Sequence, residues 1–284
     1  MNKAIVTLAV GERCYQPWQR LLRPGWQAWC ERHHYDLVAF EQPLDSSLRA
    51  AARSPAWQKL LAMASPRLRG YQQVLWLDAD VFVNPSAPDL LEHLPASHVA
   101  MARDVGSPNA GDPDWFCRCW SSILRRSLLQ AQLLDANWLY SFPSDLFSYY
   151  DLWGFNARRK ILYNTGVIAF SPQLHADLFL EIYHRWPDGG PGALYEMIPL
   201  NLELAQRRLL VDFPAAFNQL AGVQHAVWQM QPQAVQQLHG LAPSPMVVDQ
   251  FLDALLASNH FIHFAGAHQL MVRYLSARSP QLLS

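Results

Sequence analysis

Val74-Leu75-Trp76-Leu77-Asp78-Ala79-Asp80 runs four apolar, β-forming residues straight into two carboxylates. An unbroken apolar run of this kind predicts a strand buried on both faces, as in a parallel sheet. If the backbone stays extended through its end, side chains alternate, and Asp78 and Asp80 project to one side. Two anions at the end of a buried strand repel each other and lose hydration, so they require a cation. Paired oxygen ligands suit Mg²⁺ or Mn²⁺. An ion held by few protein carboxylates completes its shell with phosphate oxygens and water. The competing reading is a solvated turn with two incidental acids. Position argues for the first reading, because open α/β sheets bind ligands beyond the carboxyl ends of their strands. Apolar Val81-Phe82-Val83 also follows at once.

Working outward, residues 3–10 read as a first strand and residues 11–15 as the loop at its end. Trp18, Leu21, Leu22, Trp26, Trp29 and Cys30 recur at near-helical spacing, with a break or kink expected at Pro24-Gly25. Residues 35–40 read as a second strand. Ser54-Pro55 looks like an N-cap and first turn, with Trp57, Leu60, Leu61 and Ala64 on the apolar face. This alternation predicts an α/β fold, a mostly parallel, doubly wound central sheet flanked by helices. Downstream we expect a short helix over 89–94, strands over 98–102 and 162–170, and helices over 172–186 and 193–208. A short strand over 209–211, an amphipathic stretch over 247–257 and a last buried strand over 260–264 complete the reading. Residues 104–160 form an aromatic-rich insertion, expected to hold a helix over 115–134 and a long loop. Its Trp138, Tyr140 and Trp153 read as the insertion's own core, and rings of this kind are also surfaces on which sugar rings stack. The whole of 1–284 is read as one domain.

Composition narrows the function. Of 284 residues, 51% are hydrophobic and 16% charged, which predicts a substantial core and argues against disorder. A net charge of -1 without a basic block argues against nucleic acid as a partner. No apolar stretch is long enough to span a bilayer, which leaves peripheral membrane association open. Cys117-Arg118-Cys119 is too tightly spaced for a zinc pair, and with Cys14 and Cys30 it reads as reduced, structural thiols in a cytoplasmic chain. His263, at the end of the last apolar strand and just before Gly266, is either a satisfied core histidine or the imidazole that completes a carboxylate metal shell.

The segments Ile5-Val-Thr-Leu-Ala-Val10, Trp57-Gln-Lys59, residues 74–83, Asn164-Thr-Gly-Val167, residues 196–201 and His263-Phe-Ala-Gly266 follow one another in an informative order. Together they resemble the metal-dependent nucleotide-sugar glycosyltransferases of GT-A fold. The nearest groups are the glycogenin and lipopolysaccharide galactosyltransferase group and the galactosyl/mannosyl/xylosyltransferase group (family thirty-four). The resemblance implies Mn²⁺ (or Mg²⁺) held by Asp78, Asp80 and His263 against the diphosphate of a donor, with Asp78 also near the ribose. It implies a nucleobase held by Thr7, Ala9 and Tyr15, and a donor contact from Lys59, which otherwise reads as a solvated helix lysine. Asn164, Thr165 and Gly166 resemble the segment that reads the sugar's hydroxyls; the alternative is a bulged strand. Glu196 and Asn201 align with an Asp-Gln-x-x-x-Asn pattern, with Glu196 and Met197 departing from it. Glu196 is thereby a stabiliser of an oxocarbenium-like transition state or a nucleophile, with Asp188 as the competing acid.

At Gly266 and His268 the glycogenin-like pattern continues to a lysine, but here that place is Gln269. His268 or Arg273 is expected to supply the positive charge. The implied reaction takes a nucleoside-diphosphate sugar, expected to be a UDP-sugar, to a glycan, lipid-linked or small-molecule acceptor with retention. Two alternatives stay open. A haloacid-dehalogenase-like phosphatase also has Asp-x-Asp after an apolar strand, though on its first strand. A non-catalytic sugar-nucleotide or glycan-binding subunit is suggested by Gln269 and Met197.

Overall fold

The computed structural model of the chain describes residues 2–103, 114, 117, 143, 145–156, 160–190, 194–221 and 245–282. The sequence expectations for Trp138, Tyr140 and the helix over 115–134 lie outside the described residues. The chain opens with strand β1 (Lys3–Leu8), helix α1 (Glu12–Pro17), a π-helical turn (Trp18–Leu22) and helix α2 (Arg23–His33). A kink was expected at Pro24-Gly25; the irregularity instead precedes the proline. Pro24 has no N–H to donate one turn back, and a wider turn absorbs the missing bond. Strand β2 (Tyr35–Phe40) follows, then the short helix α3 (Leu48–Ala51), a 3₁₀ turn (Pro55–Trp57) and helix α4 (Gln58–Met63). Ser54 caps that turn by accepting from the Ala56 N–H.

Strand β3 (Gln73–Leu77) is fully buried, and β4 (Val81–Val83) and β5 (Val99–Arg103) come next. The expected helix over 89–94 is only a 3₁₀ turn, Leu91–His93. Within the insertion, helix α5 (Leu146–Leu152) replaces part of the expected loop. Asp145 starts it by accepting from the N–H groups of Phe147 and Ser148. The remaining elements are β6 (Tyr163–Phe170), α6 (Pro172–Arg185), α7 (Met197–Gln206), β7 (Leu210–Asp212), β8 (Gln219–Leu220), α8 (Pro245–Ser258), β9 (Phe261–His263) and α9 (His268–Leu282). Helix α7 starts later than expected because Leu194 and Tyr195 have φ of 54° and 53°, which no helix accommodates.

Six strands form the main sheet in the order β2-β1-β3-β6-β5-β7. The pairs β1–β2, β1–β3 and β5–β7 are parallel, and β6 alone runs against its neighbours. Alternate residues of β1 and β3 enter different cores. Ile5, Leu75 and Leu77 pack with Trp18, Trp26 and Trp29 and with Tyr274 of α9. Val6, Val74 and Trp76 pack with Trp57, Leu60, Phe179 and Leu204. Both faces are therefore covered, as a doubly wound sheet requires.

A second sheet, β4-β9-β8, holds the last strand, which was not separable from the main sheet in the sequence. No helix among the described residues is long and apolar enough to cross a membrane. Cys14, Cys30 and Cys117 are free thiols.

Candidate active site

The expected extended run through the two acids is not what forms. Strand β3 ends at Leu77, and the Val81 N–H donates to the Asp78 carbonyl at 3.0 Å, which folds residues 78–81 into a tight turn. The turn hands the chain from the main sheet to the second one. There β4 pairs antiparallel with β9 so that Val81 faces His263, and the Phe264 N–H donates to the Asp80 carbonyl at 3.0 Å. Trp26 secures this junction by donating its Nε1–H to the Val81 carbonyl at 2.9 Å. Strand register thus brings together residues separated by most of the sequence.

His263 Nε2 lies 3.1 Å from Asp80 Oδ1 and 3.7 Å from Asp78 Oδ2. One ligand atom from each of Asp78, Asp80 and His263 lies within 4.8 Å of the other two. Two carboxylate oxygens and an imidazole nitrogen at this spacing fit Mn²⁺ or Mg²⁺. The supporting contacts fit as well. Trp76 Nε1 donates to Asp78 Oδ1 at 2.8 Å, and His263 Nδ1 meets Asn164 Oδ1 at 3.0 Å. Burial disfavours charge on the His263 ring, but Asp80 and then Asp78 outweigh it and raise the ring above its ordinary value. Burial likewise opposes ionisation of Asp80, and His263 overrides it to hold that carboxyl below the usual range.

Lys59 sits at the centre of the adjoining charges, with its side chain 5% exposed. Its Nζ is 3.0 Å from Asp78 Oδ1, 2.9 Å from Glu196 Oε1 and 2.9 Å from the Thr165 carbonyl. Burial alone would lower its pKa, but Asp78 and Glu196 together raise it. The solvated-lysine reading is thereby replaced. Glu196, 3% exposed at the start of α7, also accepts from Thr165 Oγ1 at 3.0 Å.

A cavity of about 510 Å³ opens beyond the ends of β1 and β3. Its wall includes Lys59, Asp78, Asp80 and His268 from the sequence reading, together with Arg13 and Cys14, which that reading missed. Arg13 makes no hydrogen bond or ion pair among the described residues. Burial, then Asp80 and Asp78, push the Cys14 thiol up to about 11. Leu8 and Val10 line this cavity beside β1, whereas Thr7 and Ala9 are fully buried. Tyr15 lines a neighbouring cavity of about 370 Å³ with Val10, Gly11, Glu12, Glu41 and Gln42.

Several other predicted side chains are spent on the protein itself. Asn201 bridges β6 to α7, donating to the Tyr163 and Met197 carbonyls and accepting from the Tyr163 N–H, all within 2.9 Å. Asp188 accepts from the Ser54 and Gly190 N–H groups, each at 2.8 Å. Gly266 turns the chain into α9 with φ 69°. Arg273 is paired with Asp249 at 2.6 Å and is not among the residues lining the cavity, and Gln269 is exposed. Trp153 packs in the small core that holds Tyr149, Tyr150 and Phe155.

No protein-family model and no curated protein sequence matches the chain. Solved structures do. A glycosyltransferase involved in the glycosylation of the major capsid of PBCV-1 superposes with a TM-score of 0.52 at 13% identity, over 96% of this chain and 99% of that one. The apo structure of the WbbM bifunctional glycosyltransferase also gives 0.52 at 13% identity, over 99% of this chain. The present chain spans only 51% of that second protein. With its central, mostly parallel sheet and flanking helices, the chain has the GT-A-type fold of these glycosyltransferases.

Proposed function

We propose that this chain is a metal-dependent glycosyltransferase. It takes a sugar from a nucleoside-diphosphate sugar, expected to be a UDP-sugar, to a glycan, lipid-linked or small-molecule acceptor, with retention. One observation carries the reading: Asp78 and Asp80, on the wall of a cavity at the carboxyl ends of β1 and β3, converge with the buried His263 behind them. A divalent ion held there would neutralise the charge that develops as the nucleoside diphosphate departs. The chain's own residues do the rest. Lys59 holds Asp78 in place. Tyr15 offers a ring to a nucleobase in the adjoining cavity. His268 opens the 15-residue helix α9 on the cavity wall, where first-turn N–H groups favour an anion. Arg13, on the same wall, takes the phosphate-facing role that the resemblance gives to a lysine at the place of Gln269.

The test is Mn²⁺-dependent hydrolysis and transfer across a panel of UDP-sugars, lost in Asp80→Ala. Turnover of a phosphomonoester with Mg²⁺ and no action on any nucleotide sugar would replace this reading with a phosphatase. Saturable UDP binding without turnover would replace it with a binding subunit.

A further inference from the structure

Asn164 was expected to face a sugar, but its side-chain oxygen is turned into the protein. Oδ1 meets the Gly166 N–H at 2.9 Å, Asn218 Nδ2 at 3.0 Å and His263 Nδ1 at 3.0 Å. A backbone N–H only donates, so the shared atom must be the amide oxygen rather than its nitrogen. An oxygen that accepts from an imidazole nitrogen requires a proton on that nitrogen. Nδ1 of His263 therefore carries hydrogen. The other nitrogen, Nε2, is the one turned toward Asp80 and Asp78. Nε2 is then either protonated and paired with Asp80, or bare, with a lone pair that faces two anions and needs a cation between them.

We propose that Asn164 is a positioning residue for a divalent-cation site. It fixes the His263 proton on Nδ1 and so presents the Nε2 lone pair to an ion shared with Asp78 and Asp80. Asn218 Nδ2 and the Gly166 N–H donate to the same oxygen and hold it in place. The Oδ1 of Asn218 stays buried without a hydrogen bond among the described residues. Gly166 belongs to the same device, because its N–H binds the oxygen while its missing side chain leaves room for the ring.

The inference rests on the metal reading above and is tested separately from catalysis. Isothermal titration of the full chain with Mn²⁺ compares wild type, Asn164→Leu and Asn164→Asp. Losing the acceptor in Asn164→Leu lowers Mn²⁺ affinity about 10- to 100-fold, as removal of a metal ligand's outer partner does. Asn164→Asp keeps the acceptor and keeps the affinity. A merely structural role would instead cost both variants alike. Nitrogen-15 NMR of histidine-labelled wild type with Mg²⁺ needs no variant to fold, and the proton of His263 is expected on Nδ1. A proton on Nε2, or wild-type affinity in a folded Asn164→Leu, overturns the role of Asn164 alone. A wild-type chain that binds no divalent ion overturns this inference and the metal reading together.

Discussion

Replacing Gly166 by alanine puts a methyl group where the His263 ring passes. The added Cβ would stand 2.1 Å from Cε1, 2.2 Å from Nδ1 and 2.9 Å from Nε2 of that ring. Ordinary contact begins at 3.4 Å, so the ring must retreat by about 1.3 Å (3.4 less 2.1). A shift of that size breaks the 3.0 Å contact with Asn164 and the 3.1 Å contact with Asp80. It also far exceeds the roughly 0.2 Å tolerance of a metal–ligand distance. Two results follow. Mn²⁺ affinity falls by at least about 10-fold, read by titration. Overpacking of a filled site costs about 1–3 kcal/mol, a fall of roughly 2–12 °C in Tm for a domain of this size. The double variant Gly166→Ala/His263→Ala separates collision from general damage, since the methyl then enters space that the ring has left. It should be more stable than the sum of the single changes predicts, by about 0.5–3 kcal/mol. Strict additivity, or a Gly166→Ala chain that melts and binds Mn²⁺ like wild type, refutes the reasoning.

Lys59→Met leaves Asp78 and Glu196 without their shared cation, and breaking a buried pair costs about 3–5 kcal/mol in urea unfolding. Adding Glu196→Gln should recover part of it, and an unchanged midpoint would show that the cluster carries no such energy. Arg13→Ala should weaken UDP about tenfold in the presence of Mn²⁺ while leaving uridine unaffected, as loss of one charged hydrogen bond to phosphate would. Equal loss of both ligands would place Arg13 on the base. Far from the site, Asp89 accepts from both Lys3 and Tyr35. Burial opposes its ionisation, but those two donors override it and lower its pKa. A lowered folded value stabilises the protein above the unfolded pKa of about 3.9 and is lost as pH falls through the folded value. Asp89→Asn should therefore flatten the acid limb of a stability profile below about pH 4, and an unaltered limb would assign it to other carboxylates.

The sequence was most readable where burial is strongest. The apolar run into Asp78 and the apolar run into His263 each announce a strand with a polar group at its end, and both strands form. The link between them was hidden. Strand β4 has three residues, too few for any period, and its pairing of Val81 with His263 joins positions that only a tertiary register relates. The polar side chains were harder still. An amide that reads a sugar and one that ties a helix to a strand look alike in sequence. Asn201 proved to serve Tyr163 and Met197. Asp188 likewise satisfies two amides: its turn onto Gly190 is local, but its bond to Ser54 joins positions that only the tertiary fold relates. The start of α7 was hidden because nothing in the residue types of Leu194 and Tyr195 announces their positive φ.

The contacts of Glu196 bear on the two chemical roles that the sequence leaves open. A nucleophile needs an oxygen free to reach the anomeric carbon. Oε1 of Glu196 is instead shared by Lys59 at 2.9 Å and Thr165 at 3.0 Å, and the residue is only 3% exposed. The lone pairs of Oε1 are committed to an ammonium and a hydroxyl, so any attack would fall to Oε2, whose basicity the ammonium on the same carboxylate lowers. The same carboxylate is well placed for electrostatic work, because through Lys59 it fixes the charge beside Asp78. Glu196→Gln should therefore reduce transfer without abolishing it, and the loss should be matched by Glu196→Asp only if the shorter carboxylate fails to reach Lys59. Mass spectrometry of the wild-type chain incubated with donor and Mn²⁺ should find no sugar on the peptide containing Glu196. A covalent adduct at that residue would reverse the assignment and make Lys59 the group that restrains a nucleophile.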